Sequence, residues 1–141
     1  MQSRSVQDLV LHRPPMCLLD AVHSVSEGRI VCSLTLREDS AFVEASRVRS
    51  VVALEWMAQA VAAHTGALRL ESGLAPARGY VVTSRRMDFF VPYFSVGEQL
   101  EVEACLRWSD GKTSNFDCVV RRDGQVTVEG TLTTHQPSPG P

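Results

Sequence analysis

Glu55 stands midway along an otherwise apolar run, Val51-Val-Ala-Leu-Glu-Trp-Met-Ala-Gln-Ala-Val-Ala-Ala63. An ionised carboxylate in apolar surroundings is costly, and unpaired burial raises its pKa. Such a group is kept when it is paired or when it reacts. Gln59 follows one helical turn later and shares the face of Glu55 if the run is helical. A cleft opening on that face would offer an acid or base beside a hydrogen-bonding amide. The same pair equally suits a structural role, capping a strand end or bridging a subunit interface.

The histidines add little to this pair. His64 lies nine residues beyond Glu55, and at about 100° per residue that is the opposite helix face. It reads as a packed or exposed structural side chain. His12 precedes Arg13-Pro14-Pro15 in a loop, where it can line a site or stand in solvent. His23 on a strand and His135 near the end have no evident partner. Arg85-Arg86 could contact a phosphate or an acidic carrier protein, or could simply face water from a strand. No nucleophile elbow, phosphate loop or metal-binding spacing occurs.

The elements that must position these residues follow from periodicity. Ser5–Leu11 suits one short helical turn, stopped by Pro14 and Pro15. Cys17–Val25 is apolar and strand-like, and Glu27-Gly28 is a turn. Arg29–Arg37 alternates, with Ile30, Cys32, Leu34 and Leu36 on one face. Residues 39–47 show no period and read as a loop with at most one turn. A helix over residues 48–70 is apolar almost all round, which predicts burial on most sides, and Gly73 and Pro76 close it. Residues 78–90, 99–108, 113–122 and 125–134 read as strands, with a bend at Pro92. Asp110-Gly111 and Asp123-Gly124 predict two-residue hairpin turns. Strands with one segregated helix indicate an α+β fold with an antiparallel sheet.

The 141 residues suit one domain, expected over residues 1–135. The last six residues carry three prolines and a glycine and read as a loose tail, 136–141. A net charge of -2 disfavours a nucleic-acid partner. No apolar run is long enough to span a membrane, and the start has no secretory pattern. Cys17, Cys32, Cys105 and Cys118 form no paired motif. They are expected to be reduced and mostly buried, which points to the cytoplasm.

Three segments resemble a known family. His12-Arg-Pro-Pro-Met-Cys-Leu-Leu-Asp20 resembles the opening motif of β-hydroxyacyl-acyl-carrier-protein dehydratases of the hotdog fold. Glu55-Trp-Met-Ala-Gln59 is similar to the Glu-Ala-x-Ala-Gln signature of their central helix. Met87-Asp-Phe-Phe-Val-Pro, followed by Val96-Gly-Glu-Gln-Leu100, is similar to their strand-turn-strand segment. The segments occur in family order. The branch most resembled is that of the predicted 3-hydroxyacyl-carrier-protein dehydratases found with aryl-polyene-type biosynthesis.

The resemblance implies a curved antiparallel sheet wrapped around one long central helix. It also implies a dimer, with active sites between subunits. Glu55 carries over as the catalytic carboxylate and Gln59 as its helix neighbour. The backbone amides of Val51 and Val52 would hold the thioester oxygen. The family's histidine, in an upstream Gly-His-Phe-Pro loop, does not carry over: Asp39-Ser-Ala-Phe-Val-Glu-Ala-Ser-Arg-Val-Arg49 contains none.

Three functions follow. The first is dehydration of a carrier-linked 3-hydroxyacyl thioester in fatty-acid- or polyketide-like biosynthesis, with His12 or a partner subunit supplying the second catalytic group. The second is a hotdog acyl-thioesterase. The third is a non-catalytic acyl-binding or scaffold subunit. The implied partners are an acyl carrier protein or coenzyme A thioester, and a homodimer or a hetero-oligomer with another hotdog subunit. No cofactor is implied beyond the phosphopantetheine arm that carries the substrate.

Overall fold

The structure, a computed structural model, describes residues 4–5, 17–74 and 81–135. The strands are β1 (Arg4–Ser5), β2 (Ala21–Ser26), β3 (Arg29–Thr35), β4 (Arg47–Arg49), β5 (Val81–Phe89), β6 (Tyr93–Ser95), β7 (Gln99–Ser109), β8 (Thr113–Arg122) and β9 (Gln125–His135). A 3-10 turn, Ser50–Val52, leads into the helix α1, Ala53–Glu71. The large sheet has the order β1-β2-β3-β7-β8-β9-β5, and every pairing is antiparallel. β4 and β6 form a separate two-stranded ribbon.

Alternation places one face of the sheet against α1. Ile30, Cys32 and Leu34 of β3 are buried with Leu100, Val102 and Ala104 of β7. Phe116, Cys118 and Val120 of β8 and Val128 and Leu132 of β9 join them. The helix buries Trp56, Met57, Ala60, Val61, Ala63 and Ala67 on the same core, positions at helical spacing. Trp56 packs on Phe94 of β6 with ring centroids 5.3 Å apart, which ties the small ribbon to the helix. On the outer face Glu103 is buried between Arg29 and Arg121, joining β3, β7 and β8. Burial pushes its carboxyl pKa up, but the two guanidiniums outweigh that and hold it below the ordinary value.

Several boundaries differ from the sequence-based expectation. The first long strand begins at Ala21, because upstream the Leu18 amide is given to the Gln59 side chain and not to a neighbouring strand. Val48 belongs to β4 rather than to the helix, which starts at Ala53. Arg47-Val48-Arg49 alternates exposed, buried, exposed, the pattern of a strand, and pairs with β6. The first hairpin turns on Gly111-Lys112, one residue later than expected, because the Asp110 carboxylate accepts the Lys112 and Thr113 amides at 2.9 and 2.7 Å. The second turns on Asp123-Gly124 as expected, both at positive φ. The expected turn at Ser5–Leu11 falls largely outside the described residues, and its first residue, Ser5, is in β1. Pro76, the start of the 78–90 strand and the tail also lie outside them.

Gly130 of β9 lies between β5 and β8. A Cβ there would come within 2.6 Å of the Arg86 carbonyl oxygen and 2.3 Å of the Met87 sulfur. The methionine can move, but the backbone oxygen cannot. Gly130→Ala is expected to destabilise the fold by about 1–3 kcal/mol, measured as a lower urea midpoint with an unchanged slope.

Candidate active site

Glu55 lies in the first turn of α1 and is exposed. The expectation of burial on most sides therefore fails at this position. The sheet covers one side of the helix only. The other side carries Val51, 57% exposed, then Glu55, with Leu54, Ala58 and Ala62 half-buried beside them. The carboxylate thus stands on an open, largely apolar stripe of the helix rather than in the core.

Gln59, one turn on, is 1% exposed. Its Oε1 accepts the Leu18 amide at 2.8 Å. Gln59 and Glu55 are neighbours in the helix but look into different surroundings. The amide anchors the end of the opening motif to the helix. Asp20 completes that anchorage: its amide donates to the Ser33 carbonyl at 2.8 Å, and its carboxylate accepts the Thr35 amide at 2.7 Å. His12 itself lies outside the described residues.

The helix begins without a side-chain cap. Arg49 precedes the 3-10 turn in an extended conformation and Val52 precedes α1, and neither caps by its side chain. Leading amides left in this way favour negative charge or a polarised oxygen. A shallow cavity of about 370 Å³ opens there, lined by Arg49, Ser50, Val51, Pro92 and Tyr93. Val51 is exposed and Val52 half-buried, so the expected backbone donors lie at the same end of the helix as Glu55. Arg49 and Tyr93 were not among the expected site residues. The alternation of Arg47-Val48-Arg49 is the signal that could have placed Arg49 on an exposed strand face.

The segment that lacks the histidine has an unusual backbone. Phe42, Ala45 and Ser46 all adopt positive φ, at 70°, 52° and 62°. Non-glycine residues pay for that conformation and keep it only where their surroundings hold it. Here the Ser46 hydroxyl donates to Glu38 at 2.6 Å, and the Ser46 carbonyl accepts the Val96 amide at 2.9 Å.

The described histidines are engaged elsewhere. His64 is buried on the sheet side of α1, and its Nε2 meets the carbonyls of Ser26 and Glu27 at 3.0 and 2.9 Å. Both partners are acceptors, so Nε2 carries the proton. Its ring meets Phe116 edge-on at 5.5 Å. His23 bonds Ser33 at 2.6 Å and His135 bonds Thr113 at 3.1 Å. Arg85 and Arg86 are exposed on β5, an edge strand of the sheet. Arg85 sits at a bulge, and Arg86 pairs with Asp88 at 2.9 Å. The four cysteines are free thiols. Burial pushes the Cys32 thiol up to about 12 and raises that of Cys118 as well, so neither is a nucleophile at neutral pH. Cys32 and Cys118 are buried, while Cys17 and Cys105 are half-buried.

Residues 4–140 match the ApeP-like family model, described as ApeP dehydratase. A chain of "The Dehydratase Heterocomplex ApeI:P from Xenorhabdus doucetiae" is 30% identical, with a TM-score of 0.89 over 96% of this chain and 92% of that one. The TT0310 protein from Thermus thermophilus is 20% identical, with a TM-score of 0.67 over 90% of this chain and 100% of that one. The E. coli PaaI protein of the phenylacetic acid degradation operon is 16% identical, with a TM-score of 0.62 over 85% and 80%. The last two share the fold alone, which is the hotdog fold expected from the sequence. No curated protein matches by sequence.

Two outcomes test this arrangement. Gln59→Leu removes the acceptor of the Leu18 amide, and a cost of about 1–3 kcal/mol is expected in thermal or urea unfolding. His64 governs a pH dependence. Burial lowers its pKa from the ordinary 6.5, against the smaller opposing effect of its two carbonyl partners. The unfolded ring then binds a proton more readily than the folded one. Stability is fully present above pH 6.5 and is lost as pH falls from there toward the lowered folded value. In urea titrations across this range, His64→Gln should flatten the slope.

Proposed function

This chain belongs to the ApeP-like dehydratase family, and we propose that it removes water from 3-hydroxyacyl thioesters as one half of a heteromeric active site. The observation that carries the reading is the exposure of Glu55 on the uncovered stripe of α1, beside an uncapped helix start and without a described histidine engaged near it. Loss of water needs a base for the α-proton and an acid for the departing hydroxyl. Glu55 supplies one of these groups. A second hotdog subunit bearing the missing histidine supplies the other. The dehydratase heterocomplex in which the 30% identical chain occurs supports such a partner.

In this mechanism the thioester carbonyl lies against the leading amides near Val51 and Val52, whose partial positive charge stabilises the enolate-like transition state. The base takes the α-proton, the electron pair forms the C2–C3 double bond, and the 3-hydroxyl leaves as water with a proton from the acid. Gln59 acts by position: it holds Leu18 and so the strand that follows the opening motif. Arg85 and Arg86, exposed on the edge strand, suit the phosphate of a phosphopantetheine arm or an acidic carrier surface, with Arg86 already sharing its charge with Asp88. The acyl group arrives on an acyl carrier protein or coenzyme A. Among the described residues no helix is long and apolar enough to cross a membrane, and four free thiols suit a reducing compartment such as the cytoplasm.

The test is intact-mass analysis of a 3-hydroxyacyl-carrier protein incubated with the purified chain, alone and with a histidine-bearing hotdog dehydratase subunit. One water should be lost only in the mixture, and Glu55→Gln should slow that loss by about 100-fold or more. Full activity of the Glu55→Gln mixture would overturn the reading. Release of the whole acyl group by the chain alone would assign it to thioester hydrolysis instead. Water loss by the chain alone, abolished in His12→Ala, would place the second group in a homo-oligomer.

A further inference from the structure

Arg47 and Arg49 both stand on the exposed face of β4, with Val48 buried between them. They differ in what they touch. The Arg47 guanidinium rests over the Tyr93 ring, 4.0 Å from its centroid. Arg49 pairs with Tyr93 along the backbone of the ribbon. Among the described residues its guanidinium meets no carboxylate, whereas Arg29, Arg37, Arg86, Arg107, Arg121 and Arg122 each hold one. The acidic residues around the ribbon are placed elsewhere. Glu44 lies opposite Arg47, and the Glu98 carboxylate is held by the Ser95 amide and by Arg122.

The fold does not account for Arg49. The residue flanks the 3-10 turn that runs into α1, and a cation at the positive end of a helix is unfavourable. No ion pair offsets that cost. Its surroundings are those of a binding group. Arg49 is the one charged side chain lining the cavity of about 370 Å³ that it shares with Ser50, Val51, Pro92 and Tyr93. Glu55 follows Val51 by four residues, about 6 Å of helix rise. The Ser50 amide is already given to the Pro92 carbonyl at 3.0 Å, which removes one backbone donor from this end of the site.

We propose that Arg49 is a catalytic residue of the dehydration, its guanidinium donating to the thioester carbonyl oxygen beside the Val51 and Val52 amides. The proposal rests on the dehydratase reading and deepens it. When the base takes the α-proton, the C–H electron pair moves onto the thioester oxygen. The guanidinium stabilises that charge and transfers no proton. The pair then returns to form the C2–C3 double bond as the 3-hydroxyl leaves with a proton from the acid. A fixed cation aimed where charge develops acts on the transition state more than on the bound substrate.

The experiment measures water loss from 3-hydroxyoctanoyl-carrier protein by the full chain mixed with a histidine-bearing hotdog dehydratase subunit. In Arg49→Gln, kcat should fall about 100-fold while KM changes by less than about threefold. Arg49→Lys, which keeps the charge but not the planar fork, should recover part of that loss. Arg47→Gln makes the same charge change beside the cavity and should leave kcat within about twofold. The Arg49→Gln chain should melt no lower than the parent, since a cation leaves the positive end of the helix. A lower melting temperature together with lower activity would make Arg49 structural and overturn the proposal. So would an unchanged kcat with a raised KM, or an equal loss in Arg47→Gln. Activity lost in Glu55→Gln but kept in Arg49→Gln would overturn this proposal alone, whereas full activity in Glu55→Gln would overturn the dehydratase reading and this proposal with it.

Discussion

A nineteen-residue helix that is apolar almost all round meets a single curved sheet, and the sheet can cover only one side of it. The sheet-facing positions, from Ala53 and Trp56 through Ala67, become the core. Burial of that stripe against β2, β3, β7 and β8 is the main source of stability, since removing apolar surface from water is the largest favourable contribution to folding. The same geometry leaves the opposite stripe open, with Val51 and Glu55 in solvent and Leu54, Ala58 and Ala62 only half covered. The position of the candidate catalytic carboxylate is thus a consequence of how one helix sits on one sheet.

The polar residues on the buried side are the fold's fasteners. Gln59 and His64 both sit inside, and each engages backbone from a connecting segment. Gln59 accepts the Leu18 amide before β2, and His64 donates to the carbonyls of the β2–β3 turn. Buried polar groups are tolerable only when bonded, and these bonds hold both ends of β2 to the helix. Gln59, expected as a hydrogen-bonding amide beside the candidate carboxylate, is turned inward and holds the segment before β2.

Much of this was legible in the primary structure because it rests on local periodicity. The alternation of Ile30, Cys32 and Leu34 marks β3, and that of Leu100, Val102 and Ala104 marks β7. The Asp123-Gly124 turn sets the β8–β9 hairpin because both residues hold positive φ. The errors came where side chains overrode local preference. Asp110 captured two amides and moved its hairpin by one residue. Val48 left the helix for β4 because a partner strand, β6, lies far along the chain. The positive-φ stretch at Phe42, Ala45 and Ser46 has no glycine to announce it.

By itself the sequence determined the α+β class, the long apolar helix with a carboxylate, Glu55, in its apolar run, and the absence of a histidine between Asp39 and Arg49. These are properties of residue type and spacing, and no packing can change them. Tertiary structure alone decided that Glu55 faces outward while Gln59 faces inward, and that Arg49 and Tyr93 share a cavity at the helix start. The first depends on which side of α1 the sheet covers and the second on the pairing of β4 with β6, and both are settled by contacts between residues far apart in the chain.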